Sequence, residues 1–159
     1  MKKYGFSGLI SVSLAGCVPL QLPAPPDPDE VNAGFDRLQP FVEKMNAVAK
    51  GDPDYSGAFP NPDGTRVFVG FRSDPDSKLR SYSRADVYVP TRTRFSIEEL
   101  DQAKLAAEQL IAREQINFRF LAIDIPSNRV FFTEVDSAHR STVDTLVRQH
   151  PALQVTYKE

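Results

Sequence analysis

The sequence has no tryptophan and a single cysteine, Cys17, among its 159 residues. One cysteine excludes an intramolecular disulfide, so a folded domain must be held by its core alone. Histidine is scarce too: His139 and His150 lie eleven positions apart, whereas paired ligands on one helix face need a spacing of four. The formal net charge of −2 gives no general case for nucleic acid as a partner.

Long apolar runs are also missing. The longest, near the amino terminus, has about a dozen residues, fewer than the roughly 20 that a transmembrane helix needs. It follows Lys2 and Lys3 and directly precedes Leu14-Ala15-Gly16-Cys17. A basic start, a short apolar segment and small residues before a cleavage point are typical of a secretory signal peptide.

Leu14-Ala15-Gly16-Cys17 resembles the lipobox of bacterial lipoproteins. The resemblance implies cleavage before Cys17, attachment of diacylglycerol and palmitate there, and an exported protein anchored to a membrane of the cell envelope by lipid. Two or three acyl chains hold a protein persistently. Because Val18 rather than aspartate follows, the resemblance favours the outer membrane if the organism is Gram-negative. A buried free cysteine in an ordinary helix is the alternative, which the prolines that follow disfavour.

We therefore predict three segments: a lipoprotein signal peptide at residues 1–16, a proline-rich tether at 17–28 and a single α+β domain at 29–159. Dense proline favours an extended, semi-rigid chain. A docking ligand for an SH3-like partner is the alternative for the tether, but no basic flank accompanies it.

The domain begins with a predicted helix, capped by Asp27, with Pro28 in its first turn and Lys50 and Gly51 at its end. Pro40 is expected to kink it or split it in two. The remaining predicted elements are strands at 57–60, 65–71 and 86–95, a polar loop with a helical turn at 73–85, a helix after the Ser96–Glu99 capping box, strands at 117–125 and 129–135, a helix capped by Asp136 or Ser137, and a strand at 153–157.

From about residue 86 this gives the ferredoxin-like order βαββαβ. We predict an α+β fold in which helices cover one face of a mostly antiparallel sheet.

Three stretches, in order, carry a second resemblance. They are Tyr55-Ser56-Gly57-Ala58-Phe59 with Asp63-Gly64 and the strand from Arg66 to Phe71, then Arg94-Phe95-Ser96-Ile97-Glu98-Glu99-Leu100, then Ile123-Asp124-Ile125-Pro126-Ser127-Asn128-Arg129-Val130. Together they resemble the prosegment module of alpha-lytic protease and streptogrisin-type secreted serine proteases, here without a protease domain.

This resemblance implies a module, with two prosegment-like lobes as one form of it, that is no enzyme and needs no cofactor or metal. Such a module assists the folding of its protease and inhibits it, by adding a sheet edge to a protease hairpin and placing its C-terminal tail in the active-site cleft. The implied partner-binding residues are Gln154, Val155, Thr156, Tyr157, Lys158 and Glu159. We expect a protein partner, either a secreted serine protease or an envelope protein, and no nucleic acid. The alternative is a structural or assembly lipoprotein of the envelope without a protease partner.

Catalytic interpretations are weaker. Asp136, Ser137 and His139 are too close in sequence for a Ser-His-Asp chain and suit a helix cap better. Asp124, in an apolar strand, could be an acid of raised pKa, but we favour a carboxylate that accepts turn amides from Ser127 and Asn128.

The central segment, residues 66–94, is rich in arginine. The signature of RNA-recognition domains is absent, which disfavours RNA as a ligand of this segment. We favour a solvated face, with contact to anionic envelope polymers or lipid headgroups as the alternative.

Overall fold

The computed structural model describes residues 28–159, with side chains from residue 32. The predicted signal peptide, the tether up to residue 27 and the lipid attachment at Cys17 lie outside the described residues. The helices are α1 (Pro28–Ala49), α2 (Pro75–Tyr82), α3 (Ile97–Glu114) and α4 (Arg140–Gln149). The strands are β1 (Tyr55–Pro60), β2 (Val67–Phe71), β3 (Tyr88–Arg92), β4 (Phe120–Asp124), β5 (Arg129–Val135) and β6 (Leu153–Tyr157), and a short 3-10 helix at Ser137–His139 precedes α4.

The strands form two three-stranded sheets, in the orders β1-β2-β3 and β4-β5-β6. We call residues 28–92 the first lobe and residues 97–159 the second lobe. Each lobe repeats the order α-β-β-α-β: an antiparallel hairpin is followed by a helix and by a strand parallel to the second strand of the hairpin. The two lobes therefore have the same topology.

The predicted α+β class is confirmed, and so is the chain order βαββαβ from β3 onward. Those strands do not share one sheet, however, because β3 pairs with β2 in the first lobe. The sheets are mixed rather than mostly antiparallel, which corrects that part of the prediction. The reason lies in α2 and α4, since a helical crossover returns the chain parallel to the strand it left.

Each sheet packs against its own helices. The core of the first lobe is built on Met45 of α1 and on Val67, Val69 and Phe71 of β2. The core of the second lobe is built on residues of α3, α4 and β5, with Leu100, Val130, Phe132, Val135 and Val143 fully buried. Ile97, the first residue of α3, packs against both cores and so joins them.

The first helix runs through Pro40 as one element, so the predicted split is wrong. Proline removes one amide donor from a helix. Leu38 and Val42, on either side of it, are both buried, so packing holds the helix on the sheet across that point.

Polar contacts also fix the junction between the lobes. Asn128 ends the turn between β4 and β5, where its φ of 54° lies in the left-handed region that asparagine tolerates. Its Oδ1 accepts the amides of Arg94 at 3.0 Å and Phe95 at 2.8 Å, and its Nδ2 donates to the Phe95 carbonyl at 2.9 Å. These bonds tie the segment between β3 and α3 to the second lobe.

Candidate functional site

The outer strands of the two sheets are the surfaces on which a further strand could pair. Those of the first lobe are β1 and β3, and those of the second are β4 and β6. Natural edge strands are protected by proline, charge or irregular register. A register shift interrupts β1 between Tyr55 and Gly57, β3 contains Pro90, and the pairing of β6 with β5 shifts between Phe132 and Val135. Proline within a sheet is confined to edge strands, and Pro90 accordingly lies on an outer strand.

Strand β4 has neither a proline nor a register shift. Its sequence, Phe-Leu-Ala-Ile-Asp, carries a charge only at its last residue, Asp124, and its pairing with β5 keeps a regular register throughout. Of the outer strands in residues 28–159, β4 is therefore the one best suited to accept an added strand.

Two phenylalanines are exposed at the start of β4. The exposed fraction is 40% for Phe118 and 51% for Phe120. The opposite face of the strand packs inward through Leu121 and Ile123. Phe118, two residues before β4, contacts the ring of Phe132 in the core, edge to face, with 5.6 Å between ring centroids. Phe120 is thus the exposed aromatic residue of the strand itself, and the partly exposed Phe118 leans on the core at its start.

The residues predicted to bind a partner, Gln154 to Glu159, lie at the opposite edge of this sheet from β4. Gln154 to Tyr157 belong to β6, and the amide of Lys158 donates to the Val135 carbonyl at 2.9 Å. The hydroxyl of Tyr157 bonds to Asp144 of α4, and the Arg140 guanidinium lies 4.1 Å from its ring centroid. Burial and the hydrogen bond to Asp144 raise the pKa of Tyr157 to about 12. Gln154 to Tyr157 are thus part of the second sheet, and Lys158 and Glu159 follow it.

The first lobe contains a polar network that no sequence motif indicates. The side chain of Asp52 is 5% exposed, and both its oxygens lie 2.9 Å from the Lys78 Nζ. It also accepts the Tyr82 hydroxyl at 3.0 Å and the Asp54 amide at 2.9 Å. Lys78 reaches Asp54 at 3.3 Å, and Ser73 donates to the same carboxylate. This Asp52 network joins α2 to the loop before β1.

Electrostatics explain why the Asp52 network is structural. Burial raises the pKa of Asp52, but the hydrogen bonds from Lys78, the Asp54 amide and Tyr82 outweigh it, so that the pKa is lowered overall. The Asp52 hydrogen bond raises the pKa of Lys78, against a smaller opposing effect of burial. A lysine held protonated in this way cannot act as a base. Asp52 and Lys78 are 26 positions apart, too far for a local sequence pattern.

The residues considered as a catalytic triad, Asp136, Ser137 and His139, lie together in the turn that precedes α4. Asp136 accepts the Ala138 amide at 3.0 Å and caps the 3-10 turn before α4. Helix α4 itself begins after His139 without a side-chain cap, so the prediction that Asp136 or Ser137 caps this helix is wrong. Ser137 and His139 lie in that turn. His150 is the C-cap residue of α4, where its amide donates to the Leu146 carbonyl at 2.8 Å.

Asp124 likewise belongs to a turn. Its Oδ2 accepts the Ser127 amide at 3.0 Å, as predicted, whereas the amide of Asn128 donates to the Ile125 carbonyl instead.

Within residues 28–159, no group of three or more His, Cys, Asp and Glu side chains could hold a metal ion. No helix in the same range combines the length and the apolar character needed to cross a bilayer.

Comparisons with known proteins yield no relative: no family model matches the chain, and no curated protein matches it. The resemblances to lipoproteins and to protease prosegments stay predictions.

Proposed function

We propose that this protein is a lipid-anchored, exported, non-catalytic module that binds another protein through the open edge of β4. In its sharpest form the partner is a secreted serine protease, which the module helps to fold or inhibits as a prosegment does. The observation that carries the proposal is an outer strand with regular register and no proline that exposes Phe120, with the partly exposed Phe118 two residues before it.

Strand addition explains why these features occur together. A partner strand that pairs with β4 would satisfy the free backbone groups of the edge, and its alternate side chains would contact Phe120. Fully burying an exposed phenylalanine is worth about 1.5–3 kcal/mol. Phe118 and Phe120, which are 40% and 51% exposed, would each contribute part of that on top of the backbone hydrogen bonds.

The position of β4 at the edge of its sheet also supports this strand as the binding surface. Strand β4 lies opposite β6, with β5 between them. A strand added at β4 would extend the sheet to four strands without disturbing the residues of β6. The predicted binding segment, Gln154 to Glu159, would then act as a second contact or as part of the scaffold.

The test measures protease folding and inhibition. A mature streptogrisin-type protease is denatured and refolded with or without the domain of residues 29–159, and recovered activity and inhibition of peptide hydrolysis are measured. We expect the wild type to raise the refolding yield or to inhibit the protease. The double variant Phe118→Ser/Phe120→Ser should weaken either effect at least about tenfold.

Leu105→Ser supplies the matched control. Leu105 is 53% exposed on α3, so its replacement removes a similar apolar surface away from β4. Thermal unfolding of each variant shows that the fold persists. A wild-type domain without effect on such proteases would reject the protease partner, and equal effects of both substitutions would reject β4 as the surface.

A second partner class, an envelope-assembly protein, is separated by crosslinking in cells. A photoreactive residue at position 120 should capture a protease if the sharpest form holds. Recovery of assembly components alone would select the structural role instead.

The anchor is tested separately. Labelled palmitate should enter the wild-type protein and the Ser13→Ala control but not Cys17→Ala, and Cys17→Ala should be released from the membrane. Continued labelling of Cys17→Ala would reject the lipobox.

A further inference from the structure

A small cleft lies where the end of β3 meets the turn between β4 and β5. We call this space, of about 210 Å³, the junction cleft. Three arginines line it: Arg92 ends β3, Arg94 follows that strand, and Arg129 begins β5. The rest of its lining is uncharged and includes the hydroxyl-bearing residues Thr91 and Ser127. Positive charge and hydroxyl donors in a concave surface are the features of an anion site.

Two of the guanidinium groups are held in position. The Cζ atoms of Arg94 and Arg129 each lie 5.1 Å from the ring centroid of Phe95. Arg129 also donates from Nη1 to the Pro151 carbonyl at 2.8 Å. Because Phe95 is buried in the core of the second lobe, the ring is a fixed support. Groups that are already ordered lose less entropy when they bind a ligand.

The charge of these arginines is not neutralised within the fold. The ion pairs found within 4.0 Å in the described part of the chain use other residues. Asp124 is the cross-strand partner of Arg129, but its carboxylate accepts the amide of Ser127. The junction cleft is therefore lined by three arginines that form no ion pair within 4.0 Å in the described part of the chain.

A second arginine cleft provides a contrast. Arg66, Arg80 and Arg84 line a larger space of about 420 Å³ beside α2, but Asp76 and Asp86 line it as well. Its net charge is smaller, and Arg80 lies in the last turn of α2, where a cation is favoured by the helix dipole alone. The junction cleft is thus the stronger candidate.

From this geometry we infer that the junction cleft binds a phosphate group, carried by a small phosphate ester or by a phospholipid headgroup. Guanidinium groups match the oxygens of phosphate in charge and in geometry. The first lobe contributes Arg92 and the second lobe Arg129, so a bound phosphate would bridge the lobes. Binding would therefore stabilise the junction in proportion to ligand occupancy.

The experiment uses the domain of residues 29–159 and two phosphate sources. In one arm, inorganic phosphate and glycerol phosphate are titrated at constant ionic strength, and binding is followed by calorimetry and thermal shift. In the other arm, cosedimentation with phosphatidylglycerol vesicles is compared with phosphatidylcholine vesicles. The variant is Arg92→Gln/Arg94→Gln, and its control is Arg80→Gln/Arg84→Gln, which removes the same charge elsewhere in the central segment.

We expect Arg92→Gln/Arg94→Gln to raise the Kd at least about tenfold and Arg80→Gln/Arg84→Gln to change it less than about threefold. Binding in the vesicle arm with this pattern identifies a lipid headgroup, and binding of the soluble phosphates alone identifies a free ester. Equal losses in the two variants would mean unspecific charge attraction and would overturn the inference. So would the lack of binding in both arms.

Discussion

The two lobes have the same topology but are held together differently. The core of the second lobe consists of aliphatic side chains and phenylalanine, with Tyr157 packed at its margin. The core of the first lobe includes two buried tyrosines, Tyr55 and Tyr88, whose hydroxyls bond to Asn46 and to the Phe41 carbonyl. The first lobe also has the Asp52 network. One arrangement of strands is therefore compatible with two kinds of stabilising contact.

The crossover helices explain the difference. The second lobe attaches α4 through the buried Val143 and the partly buried Leu146 and Val147, an apolar stripe. In the first lobe α2 has eight residues, of which Leu79 is buried and Tyr82 is partly buried against the core. Such a helix gains little from apolar burial, and Lys78 and Tyr82 anchor it to Asp52 instead. A short polar helix can thus serve as a crossover when its side chains form an ion pair and a hydrogen bond with a buried carboxylate.

The largest expected effects come from the centres of the two cores. Phe71 of β2 and Phe132 of β5 are both fully buried. We expect Phe71→Ala and Phe132→Ala each to lower the free energy of unfolding by about 3–5 kcal/mol. Hydrogen exchange of peptides should show faster opening of β1–β3 in the first variant and of β4–β6 in the second. Equal acceleration throughout both lobes would show instead that they unfold as a single unit.

Asn128→Ala should have the next largest effect, because the substitution removes three hydrogen bonds at the junction and places alanine at positive φ. We expect a loss of about 2–4 kcal/mol. Asn128→Gly separates the two causes, since glycine accepts that φ but makes none of the bonds. Equal stability of Asn128→Gly and the wild type in urea unfolding would contradict the role given to the bonds.

Acid should affect the first lobe before the second. The carboxyl groups with lowered pKa in the described chain, Asp52, Asp54 and Asp63, all lie in the first lobe. Such a group stabilises the fold above its ordinary pKa of about 3.9, and that contribution is lost as pH falls through its lower folded pKa. We expect hydrogen exchange below about pH 4 to accelerate more in β1–β3 than in β4–β6.

Asp52→Asn tests the cause. It should cost about 1–2 kcal/mol at pH 7 and reduce the acid sensitivity of the first lobe, whereas Asp101→Asn, on an exposed part of α3, should change neither. An unaltered pH profile in Asp52→Asn would assign the acid effect to other groups.

The smallest effect concerns helix starts. The Ser96 side chain accepts the Glu99 amide at 3.2 Å, and the Glu99 carboxylate accepts the Ser96 amide at 2.8 Å. Helix α4, in contrast, begins without a side-chain cap. Ser96→Ala should cost about 1 kcal/mol, measured by thermal unfolding, and Ser96→Asp should restore most of it. A larger loss would mean that burial of Ser96 matters more than the cap.

Local patterns predicted most of the elements. The Ser96–Glu99 capping box located α3, and the predicted bounds of β5 and β6 are those observed. Helix α2 was expected only as a turn within a polar loop, because its single buried residue gives no periodic stripe. Its cap, Asp74, and Pro75 in its first turn were nevertheless present as signals.

Contacts between residues far apart in the chain could not be predicted from local sequence patterns. The assignment of β3 to the first sheet depends on parallel pairing with β2 across α2, which strand propensity does not encode. Arg92 and Arg129 line one cleft at the point where Asn128 ties the turn between β4 and β5 to the segment after β3. The strand that contains Phe120 was predicted from its apolar run, but its place at the edge of a sheet was not.

The division at residues 93–96 has a consequence for the order of folding. Each lobe is one continuous stretch of chain, and no strand of either lobe pairs with a strand of the other. Every partner that the first sheet needs is therefore present once Arg92 has been synthesised or exported, before any part of the second sheet exists. A chain that emerges from its amino terminus can complete its first half early, and Ile97 then offers the apolar contact on which the second half assembles.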